Sequence, residues 1–270
     1  METDLQAVPD GFPAIELVLA LVGGRVGQAP LALGSAVFVA PGVALTASHV
    51  IEEYWRQFDD AGRWRSGGAA TFAMQAVQYL PHHRKFVTWH ATLASHRDLL
   101  DIALLQLTPE DGELPASYVW PYPTLDLHPV ARGTGVQAFG FAQADVYSDS
   151  KTGGWVLGHA AGGSVGIVTE VFDEGRDRAK KPFPCFEMNI EIRGGMSGGP
   201  VVNEEGNICG LVTSSWTFTE PGPHLSAASL LRPALDLRLV GTGNLSAEGQ
   251  ALTLRDLMGL GHLNAVGLGD

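Results

Sequence analysis

The 270-residue sequence predicts an all-β protein, and three observations carry this prediction. Glycine supplies 34 residues, close to twice its average share of about 7%, as a turn-rich chain requires. Short apolar runs alternate with turns that contain glycine or proline along most of the chain. Helical periodicity is confined to short segments after residue 50, near residue 234 and after residue 246. A chain of this length has room for one large or two modest hydrophobic cores.

The first half of the chain predicts a β unit over residues 13–110, preceded by a tail over residues 1–12. An apolar run turns at Pro41 and Gly42, which predicts two paired strands, and a short helix follows at residues 51–55. The predicted strands of this unit lie near residues 14–22, 34–40, 43–47, 70–80, 84–90 and 101–107.

The second half begins with a linker over residues 111–132, since its proline clusters suit exposed irregular chain better than the interior of a sheet. A second β unit is predicted over residues 133–232. The charged run at residues 173–181 predicts a solvated loop. The last segment, residues 233–270, predicts a helical extension. The strands of the second unit lie near residues 135–141, 163–172, 184–192, 199–203, 207–214 and 224–230.

The charge balance excludes one class of partner. The chain carries 17 basic and 29 acidic residues, a net charge of −12 at pH 7. A nucleic-acid surface needs clustered Lys and Arg, so neither DNA nor RNA is an expected partner. The N-terminus carries Glu2, Asp4 and Asp10 where a secretory signal carries positive charge, and the apolar run 14–22 is too short to span a membrane. We therefore expect a cytoplasmic protein with no membrane partner.

Cysteine and histidine usage adds two expectations. The cysteines are Cys185 and Cys209, and so low a number fits a reducing compartment in which both remain thiols. A single bridge between them is the alternative. Four histidines lie close together but match no familiar zinc spacing, so a surface hairpin explains them and no metal is expected. The four are His82, His83, His90 and His96.

Ser197 is the first candidate catalytic residue, because glycines surround it and Pro200 follows closely. A neutral serine hydroxyl is a poor nucleophile, so it needs a base that accepts its proton. His49 is the candidate base, since it follows an apolar strand and therefore lies at a strand end. Asp101 opens a strand of buried character and is the candidate that orients the imidazole. Asp98 is the alternative acid.

The glycines around Ser197 also satisfy G-x-S-x-G, the nucleophile elbow of α/β-hydrolases. That class orders its residues as serine, acid and histidine, which Asp236 or Asp256 with His262 would supply. An elbow requires a helix directly after the serine, whereas residues 200–212 predict a strand, a turn and a second strand. The elbow is therefore the weaker interpretation of this motif.

Three segments together resemble a known family. Residues 46–49, 101–105 and 195–200 resemble the His, Asp and Ser boxes of the chymotrypsin-type (trypsin-like) serine peptidases, in the same chain order and at similar spacing. The resemblance covers roughly residues 14–235. It implies two six-stranded antiparallel Greek-key barrels, followed here by a short C-terminal helical segment, with a catalytic triad in the cleft between the barrels. The implied triad is His49, Asp101 and Ser197, and the implied oxyanion-hole donors are the N–H groups of Gly195 and Ser197.

The resemblance implies a serine endopeptidase that acts on protein or peptide substrates through an acyl-enzyme intermediate, with restricted specificity and no cofactor. Met196 departs from the digestive and clotting members, which have aspartate there, so activation by N-terminal cleavage is not expected. The chain resembles the disulfide-poor bacterial branch, and a regulatory protein partner is one way to control it. Two alternatives stay open: a catalytically silent peptidase fold that binds proteins, and an esterase or other acyl hydrolase.

The specificity pocket is predicted by alignment on Ser197. Either Ile192 or Glu191 would face the pocket, because alternation along a strand allows only one of them to do so. An inward Ile192 favours a small or medium aliphatic side chain at substrate position P1, and an inward Glu191 favours Lys or Arg. The apolar choice is the one we favour. The extended substrate would pair with Thr213, Ser214 and Ser215.

Overall fold

The computed structural model describes residues 6–7, 13–24, 30–58, 74–97, 100–110, 114–148, 155–158, 161–179, 181–216, 224–240 and 251–268. Its strands are β1 (Gln6–Ala7), β2 (Val18–Gly23), β3 (Leu31–Ala40), β4 (Val43–Thr46), β5 (Met74–Leu80), β6 (Lys85–Arg97), β7 (Ile102–Pro109), β8 (Thr124–Asp126), β9 (Gly135–Gly140), β10 (Val146–Ser148), β11 (Trp155–Leu157), β12 (Gly162–Phe172), β13 (Cys185–Met188), β14 (Pro200–Asn203), β15 (Ile208–Trp216), β16 (Leu225–Leu230) and β17 (Asn264–Val266). The helices are α1 (Ser48–Phe58), α2 (Leu254–Gly259) and 3₁₀ turns at Pro13–Glu16, Pro81–His83 and Arg232–Asp236.

Strands β2 to β7 close into an antiparallel barrel in the order β2-β3-β4-β7-β6-β5, with β5 pairing back onto β2. Alternation supports the closure, because every second side chain of β5 from Met74 to Leu80 is buried. Phe38 and Trp89 pack edge to face in the interior, with ring centroids 5.3 Å apart. The predicted hairpin with four histidines is confirmed as the β5–β6 pair. The short helix predicted at residues 51–55 is confirmed as α1, which begins at Ser48 and ends at Phe58.

Six strands of the second half close into another antiparallel barrel, in the order β9-β12-β13-β16-β15-β14. The barrel closes because β14 pairs with both β9 and β15. Numbered from the first to the sixth strand of each barrel, both orders are 1-2-3-6-5-4. Short strands attach to this barrel at its outside: β1 pairs with β12, and β8 and β17 extend the sheet beside β15.

Three hydrophobic cores hold this architecture together, one inside each barrel and one between them. The core between the barrels combines Leu45 of the first barrel with Leu211 of the second and Leu254 of the C-terminal segment. Burying such apolar surface is the main stabilising term that keeps the barrels in contact. Gln106 and Val240 add a reciprocal pair of hydrogen bonds, at 2.8 and 3.0 Å, between the first barrel and the C-terminal segment.

The predicted fold class, two six-stranded antiparallel barrels with a short C-terminal helical segment, is confirmed. The helical segment is α2, which Thr253 and Asp256 cap by reciprocal hydrogen bonds at its start. Among the described residues, no helix reaches the length and apolar character that crossing a membrane demands.

Candidate active site

His49 and Asp101 meet because the strands beside them are neighbours in the first barrel. β4 pairs with β7, and Thr46 lies opposite Ala103 at the edge where β4 ends and β7 begins. His49 Nδ1 lies 2.9 Å from Asp101 Oδ1 and 3.0 Å from Oδ2. The His49 main-chain N–H also donates to Oδ1, at 3.1 Å. One carboxylate therefore holds both the ring and the backbone of the histidine.

Asp101 has an unusual backbone conformation, with a φ of 47°. Left-handed geometry is costly for a residue with a β-carbon, and least so for Asp and Asn. Gln143, which contacts the serine loop described below, has a φ of 48°. Backbone strain of this kind collects at functional sites, where the surrounding structure holds it in place. The Asp101 side chain is 13% exposed and that of His49 is 40% exposed, so the carboxylate is shielded while the imidazole opens outward.

The serine loop, residues 193–199, presses against the first barrel. Gly198 has a φ of 83°, and a β-carbon there would overlap Thr46 Oγ1. Glycine is the residue type that accepts both this conformation and this close approach. Thr46 closely precedes His49 in the chain. The close contact between Gly198 and Thr46 therefore keeps Ser197 next to the segment that carries the histidine.

Carbonyl groups of the serine loop are held by hydrogen bonds from outside it. The Gln143 N–H donates to the Gly194 oxygen at 2.6 Å. Ser35 donates from its hydroxyl to the Gly195 oxygen at 2.7 Å, and from its main-chain N–H to the Ser197 oxygen at 2.8 Å. Within the described residues, the main-chain N–H groups of Gly195 and Ser197 donate to no protein acceptor. Two such N–H groups on a fixed main chain are what an oxyanion hole requires.

The Ser197 hydroxyl donates to the carbonyl oxygen of Thr213 on β15, at 3.3 Å. In the part of the chain that the structure describes, no hydrogen bond joins Ser197 to His49. Rotation about one side-chain torsion redirects a serine hydroxyl, and catalytic hydrogen bonds commonly tighten only with substrate bound. The structure thus pairs His49 with Asp101 and leaves the third predicted residue unjoined to them.

The Met196 side chain anchors the serine loop to the core of the second barrel. It is fully buried and packs in the core of the second barrel. Its N–H donates to the Arg193 oxygen at 3.1 Å, and its own oxygen accepts from the Gly199 N–H at 3.0 Å. Apolar burial at this position holds the loop where an aspartate would instead need a charged partner.

The two residues predicted to compete for the specificity pocket have different surroundings. Ile192 is 8% exposed and packs in the core of the second barrel. The Glu191 carboxylate forms an ion pair with Arg193 Nε at 2.7 Å and lies 4.0 Å from His224 Nε2. A cationic substrate side chain would therefore have to compete with Arg193 for this carboxylate.

The predicted substrate-binding strand is β15, and its side chains bond within the protein. Thr213 Oγ1 donates to the Ala227 oxygen at 3.2 Å. The Ser214 hydroxyl accepts from the ammonium group of Lys181. The side chain of Ser215 lies outside the described residues, and so does the alternative acid, Asp98.

The nucleophile-elbow alternative is wrong. Ser197 is followed by the strand β14, which pairs with β15 in a hairpin, so the helix that an elbow requires is not formed there. Asp256, one of the acids considered for that alternative, instead caps α2 by accepting from the Thr253 N–H at 2.8 Å.

The prediction of a solvated loop at residues 173–181 is wrong for its last residue, Lys181. Lys181 is 5% exposed, and its ammonium donates to Thr213 Oγ1 at 3.3 Å and to Ser214 Oγ. Burial lowers the pKa of Lys181 below its ordinary value. A run of charged residues predicts solvation by composition, and its pattern does not indicate that the Lys181 side chain folds inward.

Both cysteines are buried and form no disulfide. Burial raises the pKa of the Cys185 thiol, and it raises the pKa of Cys209 to about 12. A thiol with a raised pKa is a weak nucleophile at neutral pH, so neither cysteine competes with Ser197 for that role.

Two closed six-stranded barrels, with a histidine, an aspartate and a serine loop where they meet, define the chymotrypsin-like class of fold. The sequence matches the model of the trypsin-like peptidase domain over residues 34–211, which is more than half of the chain. The chain belongs to this family.

Solved structures with the same fold include two proteases. The MamO protease domain from Magnetospirillum magneticum, in its apo form, is 16% identical with a TM-score of 0.51, and the match covers 82% of this chain and 95% of that one. The Rv3671c protease from M. tuberculosis, in its active form, is 15% identical with a TM-score of 0.51, and the match covers 97% of this chain and 87% of that one. At these identities the likeness concerns the fold. Among curated proteins no match was found.

Proposed function

We propose that this chain is a serine endopeptidase with Ser197 as nucleophile, His49 as base and Asp101 as the group that orients the imidazole. One observation carries the proposal: His49, hydrogen-bonded to both carboxylate oxygens of Asp101, lies beside a serine loop in which two N–H groups have no acceptor among the described residues. A protein that only binds other proteins has no need of either. Membership in the trypsin-like peptidase domain family supports a peptidase in general.

Acylation follows from these groups. The Ser197 hydroxyl turns from Thr213 toward His49, whose Nε2 accepts the proton as the serine oxygen attacks the carbonyl carbon of the peptide bond. The carbonyl oxygen becomes an oxyanion and accepts from the N–H groups of Gly195 and Ser197. When the tetrahedral intermediate collapses, the C–N bond breaks, the amine leaves with the proton from His49, and an ester remains on Ser197.

Deacylation repeats the cycle with water. His49 takes a proton from water as the water oxygen attacks the ester carbon, and the proton returns to Ser197 when the ester bond breaks and the acid leaves. Asp101 keeps its hydrogen bond to the ring throughout and stabilises the imidazolium. Its contact with Nδ1 keeps the proton on that nitrogen and leaves Nε2 free to accept.

The substrate we propose is a protein or peptide segment that lies extended along Thr213, Ser214 and Ser215 of β15, with main-chain hydrogen bonds supplying much of the affinity. The Arg193–Glu191 ion pair supports a small or medium aliphatic P1 residue over Lys or Arg, because the carboxylate already has a cation from its own chain. The two buried thiols support a reducing setting such as the cytoplasm.

A fluorophosphonate probe tests the proposal directly. The wild-type protein is expected to be labelled on Ser197, and Ser197→Ala should fold normally and show no labelling. Equal labelling of the Ser197→Ala protein would disprove the assignment of the nucleophile.

Peptide and ester substrates separate the remaining classes. A fluorogenic peptide library should yield cleaved sequences, with Ser197→Ala as the matched inactive control. Hydrolysis of p-nitrophenyl esters without cleavage of any peptide would instead identify an esterase. A wild-type protein that is neither labelled nor active would identify a silent fold.

A further inference from the structure

Ser35 lies on β3 of the first barrel and contacts the serine loop of the second barrel. It is fully buried. Its hydroxyl accepts from the Phe141 N–H at 2.9 Å and donates to the Gly195 oxygen at 2.7 Å. An N–H group can only donate and a carbonyl can only accept, so the position of the hydroxyl proton is settled: it points to Gly195.

Ser35 also binds the main chain of Ser197, the residue that supplies the second candidate donor, through the carbonyl that follows that donor in the chain. The Ser35 main-chain N–H donates to the Ser197 oxygen at 2.8 Å, and the Ser35 oxygen accepts from Thr46 Oγ1 at 2.7 Å. Ser35 therefore donates hydrogen bonds to the carbonyl oxygens of Gly195 and Ser197. These are the two residues whose N–H groups have no acceptor among the described residues. The Thr46 contact fixes Ser35 in turn to the segment that leads into His49.

The orientation of these peptide groups decides whether a hole exists. Gly195 has a φ of 92° and no β-carbon, so its backbone is free to reorient unless its neighbours are held. The Gln143 N–H holds the carbonyl before it, on Gly194, and Ser35 holds the carbonyl after it. With both adjacent peptide planes fixed, the N–H of Gly195 has a single direction.

We propose that Ser35 is a positioning residue for the oxyanion hole, which it keeps formed in the absence of substrate. The proposal rests on the proposed function. Removing the hydroxyl leaves the Phe141 N–H and the Gly195 oxygen without this partner, so the Gly195–Met196 peptide loses its defined direction. The flexible Gly195 backbone is then held on one side alone, by the Gln143 N–H on the Gly194 oxygen, and its own N–H is less firmly directed. Ground-state binding along β15 does not use this peptide, so the loss should appear in kcat and not in KM.

The test compares Ser35→Ala with Ser35→Thr and with a control, Ser164→Ala. Ser164 on β12 is also buried, and its hydroxyl has no hydrogen-bond partner among the described residues. We expect Ser35→Ala to lower kcat by about 10- to 100-fold with KM within about 3-fold of wild type. The fluorophosphonate labelling rate should fall in parallel. Ser35→Thr retains a hydroxyl and should recover most of both rates, and Ser164→Ala should match wild type.

Several outcomes overturn the inference. Wild-type kcat in a folded Ser35→Ala protein would do so, and so would equal rates in the Ala and Thr variants. If Ser35→Ala does not fold, Ser35→Cys, whose thiol is both a poor donor and a poor acceptor, is measured in its place and must show a clear kcat loss relative to Ser35→Thr. Wild-type protein without Ser197-dependent labelling would refute the proposed function itself, whereas active wild type with an unaffected Ser35→Ala refutes the role of Ser35 alone.

Discussion

The two barrels share one strand order but supply the candidate site in different ways. In each barrel the connection between the third and fourth strands carries a candidate catalytic residue, His49 after β4 and Ser197 before β14. The first barrel begins this connection with the helix α1 and presents a side chain that is already paired with Asp101. The second fills it with a glycine-rich loop whose main chain is held while its hydroxyl points to Thr213. One topology thus positions side chains where the sequence supplies a helix, and main-chain groups where it supplies glycines.

The largest effect is expected when either connection loses its candidate catalytic side chain. Ser197→Ala and His49→Ala should each lower kcat by about 10⁶-fold, because nucleophile and base act as one unit. The double variant should be no slower than either single variant. Peptide hydrolysis under saturating substrate measures this, and a double variant far slower than both singles would mean that the two barrels contribute independently.

Substitutions of Asp101 test the contribution of the first barrel, the His49–Asp101 pair, by itself. Asp101→Asn should lower kcat by about 10⁴-fold, because the histidine loses its preferred tautomer while its geometry is kept. Asparagine tolerates the left-handed backbone at this position, so the fold should be retained. Asp101→Ala should also lower the free energy of unfolding by about 1 kcal/mol, since alanine lacks the short polar side chain with which Asp and Asn tolerate this conformation. Denaturant unfolding measures the difference, and equal stabilities would argue against strain at Asp101.

Substitutions of two glycines test the contribution of the second barrel, the serine loop, which depends on the conformation of its main chain. Gly198→Ala should lower the free energy of unfolding by at least about 1 kcal/mol and slow fluorophosphonate labelling, because the β-carbon overlaps Thr46 and the φ of 83° is unfavourable. Gly194→Ala is the matched control, since a β-carbon there meets no atom within 4 Å. Similar losses in the two variants would show that the loop responds to any added side chain and not to its seat on the first barrel.

The smallest effect concerns Lys181, which supports the second half through β15. Burial lowers the pKa of Lys181 below its ordinary 10.5, so the folded protein releases this proton at a lower pH than the unfolded chain does. Between the two pKa values the unfolded chain binds more protons, and the free energy of unfolding rises with pH. Wild type should therefore gain stability relative to Lys181→Met as the pH rises toward 10.5 in urea titrations. A difference that stays constant with pH would contradict this.

Local patterns were enough to nominate the candidate residues that lie in short characteristic segments. The box around His49, the strand that Asp101 opens and the glycines around Ser197 each depend on neighbours in sequence. The hairpin after Ser197 was predictable for the same reason, and it excluded the nucleophile elbow. Alternation and turn residues likewise predicted most strands, because period and turn chemistry are local properties.

Contacts between segments that are distant in the chain could not be predicted from local sequence patterns. Ser35 stands between Gly34 and Ala36 in an apolar strand, and its partners lie 106 and 160 positions away in the chain. Lys181 is similar, since its run of charges predicts solvent while its contact with Ser214 spans 33 positions. The direction of the Ser197 hydroxyl depends on one torsion, which no sequence pattern encodes.

The unengaged amides of the serine loop have a practical consequence at the bench. Main-chain N–H groups held in a fixed concave array attract small anions from solution. In the proposed mechanism Gly195 and Ser197 bind the substrate's carbonyl oxygen, so an anion bound there would compete with substrate, and concentrated phosphate, sulfate or acetate should act as a competitive inhibitor. The choice of buffer then governs the apparent turnover, and weakly coordinating zwitterionic buffers give the faster rates.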